Sequence, residues 1–294
     1  MLTRNPESFS LRAISNERSD CGEGPIWNSK TGIVSWVDIA GDKWHQVALN
    51  ETHGTTKTFK VPSTIGAIVE RSGGGFFAAV KEGFGFISPD GAYTPGIEFL
   101  ETNERMNDAK ADANGRYWAG SCDLNFTPGL GKLHVIEVDG KVRTVETGLT
   151  LPNGLAWSPD SKSFYFVDSF QHLMWRYDFN LETGQISNRT VLVKFANDGS
   201  VPDGMCVSDD GSLFVAMWGG YRVEVYSPEG ALKEIIPLSV KQPSSCTFAG
   251  KDGKTLIVTS AAGDTDIKNE PLNGLILAVD GLGYSGPVST VYHG

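Results

Sequence analysis

Residues 153–169 read NGLAWSPDSKSFYFVDS: a short apolar run opening on Asn-Gly, a turn built on Ser-Pro-Asp, and a second apolar run. The same unit occurs six times. The other copies are EGPIWNSKTGIVSWVDI from Glu23, IGAIVERSGGGFFAAV from Ile65, NDAKADANGRYWAG from Asn107, DGMCVSDDGSLFVAMW from Asp203 and SCTFAGKDGKTLIVTS from Ser245. Successive copies start 42, 42, 46, 50 and 42 residues apart. A period in the forties with several short strands per unit marks the blades of a propeller. Each pair of runs is followed by further alternating segments, such as KLHVIEVDGKVRTV, broken at Asp-Gly, Glu-Gly or Pro-Asp-Gly turns. No segment keeps the 3.6-residue spacing of a capped helix. The expectation is an all-β chain: one domain over residues 1–294, a six-bladed β-propeller with four-stranded antiparallel blades around a central channel. A β-sandwich would not require turns to recur in register. Ring closure normally takes a strand from a terminus. FSLRAIS near the N-terminus and VSTVYH near the C-terminus are both strand-like, and both are expected in the last blade.

Composition sets bounds on partners and compartment. The 294 residues carry a net charge of -10 with no basic run, which opposes nucleic-acid or anionic-membrane binding. No stretch approaches the roughly 18 uninterrupted apolar residues of a membrane span, and the N-terminus shows no apolar leader core. Cys21, Cys122, Cys206 and Cys246 form no CxxC pair, so free thiols in a reducing cytoplasm are expected. A monomer or weak homo-oligomer is expected.

In a propeller the first strand of each blade lines the channel, and its first residue stands at one mouth. Those six positions hold Glu23, Ile65, Asn107, Asn153, Asp203 and Ser245. Single Asn-Gly or Asp-Gly steps are ordinary turn formers, but oxygen-bearing residues in register across the repeats are not. Carboxylates and amides converging on one axis repel and are poorly solvated unless something binds them. A hard divalent cation fits. Glu23, Asn153 and Asp203 supply three oxygens and two negative charges, which suit Ca²⁺ first, with Mg²⁺, Mn²⁺, Zn²⁺ or Fe²⁺ admissible when water completes the shell.

The motifs GEGPIW (22–27), RMNDAKADANGRYWAG (105–120), LPNGLAWSPD (151–160), TGQISNR (183–189) and PDGMCVSDDGSLFVAMWGG (202–220) resemble the senescence marker protein / gluconolactonase / luciferin-regenerating enzyme family. That family includes regucalcin and bacterial sugar-acid lactonases. The resemblance runs from about Ser19 almost to the C-terminus. It implies a six-bladed propeller and a divalent metal held by Glu23, Asn153 and Asp203. It also implies a substrate held by Arg105 and Asn107, and Asp203 as the proton-transfer residue. Where some members carry an acidic substrate contact, this chain has Cys122-Asp123-Leu124-Asn125, so Asn125 or Asp123 is the expected replacement.

The implied reaction is metal-dependent opening of a sugar-acid (aldono) lactone, a small-molecule substrate. Asp203 would serve as general base and then acid. A non-catalytic calcium-binding regulatory propeller is the alternative, although Arg105 beside a pure cation site would oppose binding. A paraoxonase-like site would need histidines near the metal, and none of the five stands at an inner-strand start. Ser169 and Ser260 lack a GxSxG context. By strand alternation Asp108 is expected to point away from the channel, and Trp218 is expected in the core.

Overall fold

Six sheets of at least four strands, antiparallel except where Leu2–Thr3 adds in parallel to Leu232–Pro237, form the chain in a computed structural model that describes residues 2–294. The innermost strands of blades I–VI are Gly22–Asn28, Ile65–Glu70, Glu104–Ala111, Pro152–Trp157, Val201–Val207 and Pro243–Ala249. Among the described residues there is no α-helix, only a 3-10 turn at Pro6–Ser8. The six-bladed β-propeller expected from the period is therefore the fold.

Six apolar clusters hold the ring, one between each pair of neighbouring blades. Trp44 and Val37 of blade I pack on Ile65, Ile68 and Phe76 of blade II. Phe77 and Phe84 of blade II pack on Tyr117 and Met106 of blade III. Trp118 of blade III meets Phe164 and Trp175 of blade IV. Blade IV meets blade V through Tyr165, Met205 and Val215, and Phe214 and Phe248 join V to VI. Trp27 and Trp36 of blade I close the circle on Ile257 and Ile276 of blade VI. Two-residue alternation sends each strand's apolar side chains to its two neighbours, so no blade buries its faces alone.

The two termini close the ring differently. Ser10–Ala13 forms the outer strand of blade VI, paired antiparallel with Leu277–Asp280. This bears out the reading of FSLRAIS. The same reading of VSTVYH is overturned. Residues 287–290 instead run beneath the central channel, where Ser289 Oγ accepts from Trp27 N and Thr290 Oγ1 donates to Ala111 O. Tyr292 makes a parallel bridge to Arg71 and buries its ring among Phe77, Phe84 and Tyr117. The outer edge of Leu277–Asp280 is already taken by Ser10–Ala13, so a late strand finds no place on that side of blade VI. The aromatic groove between blades II and III takes the tail instead.

Every inner strand is bulged near its start. The register shifts between Glu23 and Ile26, Ile65 and Ala67, Met106 and Ala109, Asn153 and Leu155, Pro202 and Met205, and Pro243 and Ser245. A bulge re-aims consecutive side chains toward the same face. Gly24 and Gly154 sit at such bulges with φ of 52° and 28°. A Cβ on Gly154 would stand 2.6 Å from Asp203 O, so only glycine lets those inner strands approach so closely.

Candidate metal centre at the channel mouth

Glu23, Asn107, Asn153 and Asp203 are all buried where the bulged strands converge. Asn107 Nδ2 donates to Asn153 Oδ1 at 2.8 Å and to Pro152 O at 2.8 Å. Its Oδ1 accepts from the Arg105 guanidinium at 2.8 Å. Asn107 therefore couples Arg105 to Asn153 with all three of its contacts occupied. Asn153 is held from both sides, because its Nδ2 donates to Ser169 Oγ at 2.8 Å while its Oδ1 accepts from Asn107, which leaves one lone pair of that oxygen for another partner.

The carboxylates are less well supplied. Among the described residues Glu23 Oε2 accepts from Gly24 N alone, and Asp203 Oδ1 is buried with no hydrogen-bond partner. Burial, then the charges of Asp203 and Asp108, push the Glu23 carboxyl well above its usual range, partly opposed by Arg105. Burial and the Asp108 charge do the same to Asp203. A buried carboxylate oxygen without a donor costs free energy that a bound cation would recover. The donor set, two carboxylates and one amide oxygen, is that of a hard divalent cation. Among the described residues no group of three or more His, Cys, Asp or Glu is placed to hold a metal ion, and the donor set here draws its third oxygen from an asparagine.

Two aspartates that sequence reading passed over position this centre. Asp38, at the end of the second strand of blade I, accepts from Asp20 N and Cys21 N at 3.1 and 2.9 Å. Asp168 does the same for Thr150 N and Leu151 N in blade IV. Each carboxylate ties down the connection that leads into Glu23 or Asn153. The signal was the repeated Val-Asp closing SWVDI and YFVDS, which looked like an ordinary strand end.

Three expectations need correction. Asp108 does not point away: the bulge spanning Asn107 and Asp108 turns both inward, and Asp108 lines the channel below the mouth. Its carboxyl is raised by burial and partly offset by Lys110. Asp123 is buried and committed to its own loop, accepting from Asn125 N, Thr127 N and Thr127 Oγ1. Asn125 is exposed in the same loop. Trp218 is paired with Val201 at the mouth end of blade V, half-buried and outside the apolar clusters. Below the mouth the channel holds a cavity of about 230 Å³, lined by Asp108, Lys110, Cys206, Cys246 and the tail at Pro287–Thr290.

The comparison with known proteins follows the same geometry. The profile described as the SMP-30/Gluconolactonase/LRE-like region matches residues 21–262, spanning all six inner strands. The chain belongs to this family. It is 31% identical over 291 residues to regucalcin of Oryctolagus cuniculus, covering 95% of this chain and 97% of that protein. A luciferin-regenerating enzyme structure superposes with a TM-score of 0.90 at 27% identity, covering 97% and 99% of the two chains. The structure of a calcium-binding protein, regucalcin from Agrobacterium tumefaciens, superposes with a TM-score of 0.90 at 25% identity, covering 97% and 98%. The chain thus shares its overall fold with the luciferin-regenerating enzyme and the Agrobacterium regucalcin.

Proposed function

We propose that this SMP-30/gluconolactonase/LRE-like propeller hydrolyses a sugar-acid lactone, with a divalent cation, Ca²⁺ by preference, held by Glu23, Asn153 and Asp203. The observation that carries the reading is the donor-less Asp203 Oδ1, buried beside Glu23 and Asn153 at the channel mouth. When bound, the cation would withdraw electron density from the lactone carbonyl and depress the pKa values of the groups around it.

The chain's own residues do the rest. Asp203, ionised once the cation is present, takes a proton from the attacking water. Water oxygen bonds to the carbonyl carbon, the acyl–oxygen ring bond breaks, and Asp203 returns the proton to the departing ring oxygen. The products are one carboxylate and one hydroxyl, with the carboxylic proton released to solvent. Arg105 keeps further N–H groups beyond its contacts to Asn107 and Met106 O, and these are free to hold lactone oxygens. Asn107 keeps Arg105 and Asn153 in fixed relation. Burial around Asp203 keeps competing water out.

A panel of five- and six-membered aldonolactones, followed by acid release with and without chelator, tests the reaction. Turnover that chelator abolishes is the expected result. Metal binding without turnover of any lactone would instead favour a non-catalytic calcium-binding propeller, the reading suggested by the Agrobacterium relative's description.

A further inference from the structure

Above the metal centre the loops 124–130 of blade III and 169–172 of blade IV make an aromatic shelf continuous with the site. The Arg105 guanidinium, hydrogen-bonded to Asn107, lies 5.7 Å from the centroid of the Phe126 ring. Phe126 in turn meets Phe170 edge-on at 5.5 Å. Phe170 is 47% exposed, and the same two loops expose Leu124 at 44% and Leu130 at 45%. Exposed apolar side chains gathered beside a polar cleft mark a ligand surface more often than chance solvent exposure.

The shelf is built, not loose. Asp123 Oδ1 gathers Asn125 N, Thr127 N and Thr127 Oγ1, and Leu124 N donates to Asn103 O at 2.8 Å. Phe126 is held at φ 54°, a left-handed conformation that a bulky side chain adopts only under constraint. Two of the polar side chains in these loops are already occupied: Thr127 is bound to Asp123, and Gln171 Nε2 donates to Asp168 and Gly148 O, which leaves the exposed Asn125 amide as the polar group at the rim of the shelf. A hydroxyl-bearing substrate tail laid on the shelf would find few donors or acceptors and would lose its water.

Resting on the lactonase reading, we propose that the shelf of Phe126 and Phe170 receives a deoxygenated end of the sugar lactone. The substrate class is a 6-deoxyaldonolactone, its carbonyl toward Asp203 and its terminal methyl on the aromatic rings. A hydrophobic subsite discriminates against one added hydroxyl or one lost methylene by about 10–100-fold.

The test uses lactone pairs that differ only in the terminal hydroxyl: L-rhamnono- against L-mannono-1,4-lactone, and L-fucono- against L-galactono-1,4-lactone. The metal-loaded protein should show kcat/KM at least about tenfold higher for the deoxy member of one pair or both. Phe170→Ala should bring that ratio down about tenfold, and Phe170→Leu should retain most of it. Lactone turnover with no deoxy preference in either pair, or a preference that Phe170→Ala leaves intact, would overturn the proposal and leave the lactonase reading standing. No turnover of any lactone would remove the lactonase reading and this proposal together. A dimer that Phe170→Ala dissociates, with the ratio unmoved, would assign the shelf to a second copy and also overturn it.

Discussion

Asp203 Oδ1 has no donor, and Asp203 and Glu23 are both buried carboxylates whose negative charges oppose each other. Such a pair destabilises the metal-free fold and stabilises the loaded one. Saturating cation at about 100-fold above Kd adds roughly 2.7 kcal/mol. For a chain of this size that is a Tm rise of about 4 °C, which chelator should reverse in differential scanning fluorimetry. Asp203→Asn should raise the Tm of the chelated protein and erase the metal-dependent shift. Asp203→Ala should leave the far-UV circular dichroism unchanged and remove turnover; full activity in that variant would refute the assigned base. One shell out, Asp168 holds the backbone leading into Asn153. Asp168→Ala should weaken metal affinity about 10–100-fold by calorimetry, the usual effect of losing a group that orients a ligand. An affinity equal to wild type would mean that Asn153 needs no such support.

The oxygen-bearing residues were legible in the sequence because each opens an inner strand in register with the repeat. Their neighbours were not. Asp108 was misplaced because alternation with period two assumes an unbroken ladder, and the shift between Met106 and Ala109 breaks it. Asp123 looked like a substrate contact until its loop showed three donors converging on one oxygen.

At the level of strands, the third strands of blades I and III each carry a pH-sensitive histidine. His45 Nδ1 bonds Thr58 Oγ1 at 2.9 Å and the ring stacks on Trp36 at 5.0 Å. His134 bridges Ser121 and Thr144 at 2.9 and 3.0 Å. Burial first, then Lys43 for His45 and Lys132 for His134, lower both rings to about 4. Asp38 and Glu104 oppose the shift at each site. The unfolded chain therefore binds more protons than the folded chain between pH 6.5 and about 4. Stability is full above pH 6.5 and falls on acidification through that window, by up to about 1.4 kcal/mol per pH unit for each histidine. The raised carboxyls of Glu23 and Asp203 act in the opposite sense, so the histidine slope is read as the difference in melting temperature between wild type and a His45→Asn/His134→Gln variant from pH 7.5 to 4.5, which should narrow on acidification. An unchanged difference would place the acid sensitivity elsewhere.

The whole ring is held shut by two different latches. The strand Ser10–Ala13 completes blade VI, with Ile14 buried between blades VI and I. The C-terminal tail touches blade V at Asp209, blade VI at Gly253, blade I at Trp27, blade II at Glu70 and blade III at Gly115. Removing residues 2–14 and removing residues 285–294 should each lower the melting temperature. The two losses should couple and not simply add, because Trp27 packs in the cluster that holds Ile14 and also donates to Ser289 Oγ. Loss of the tail should also admit solvent to the lower channel, seen as faster reaction of Cys206 and Cys246 with a thiol reagent. Thiol reactivity equal to wild type would refute the tail as the channel's floor.

A 42- to 50-residue period determined by itself how many blades there are, which strands face the axis, and which oxygen atoms meet there. Those properties follow from local alternation repeated in register, and each repeat carries the information separately. Only the tertiary structure decided the aim of Asp108, the path of the tail across five blades, the closeness of Arg105 to Phe126, and the donor-less state of Asp203 Oδ1. Each of these depends on where one blade stops and its neighbour begins. Bulges, shared grooves and burial are properties of strands brought together, and no single repeat contains them.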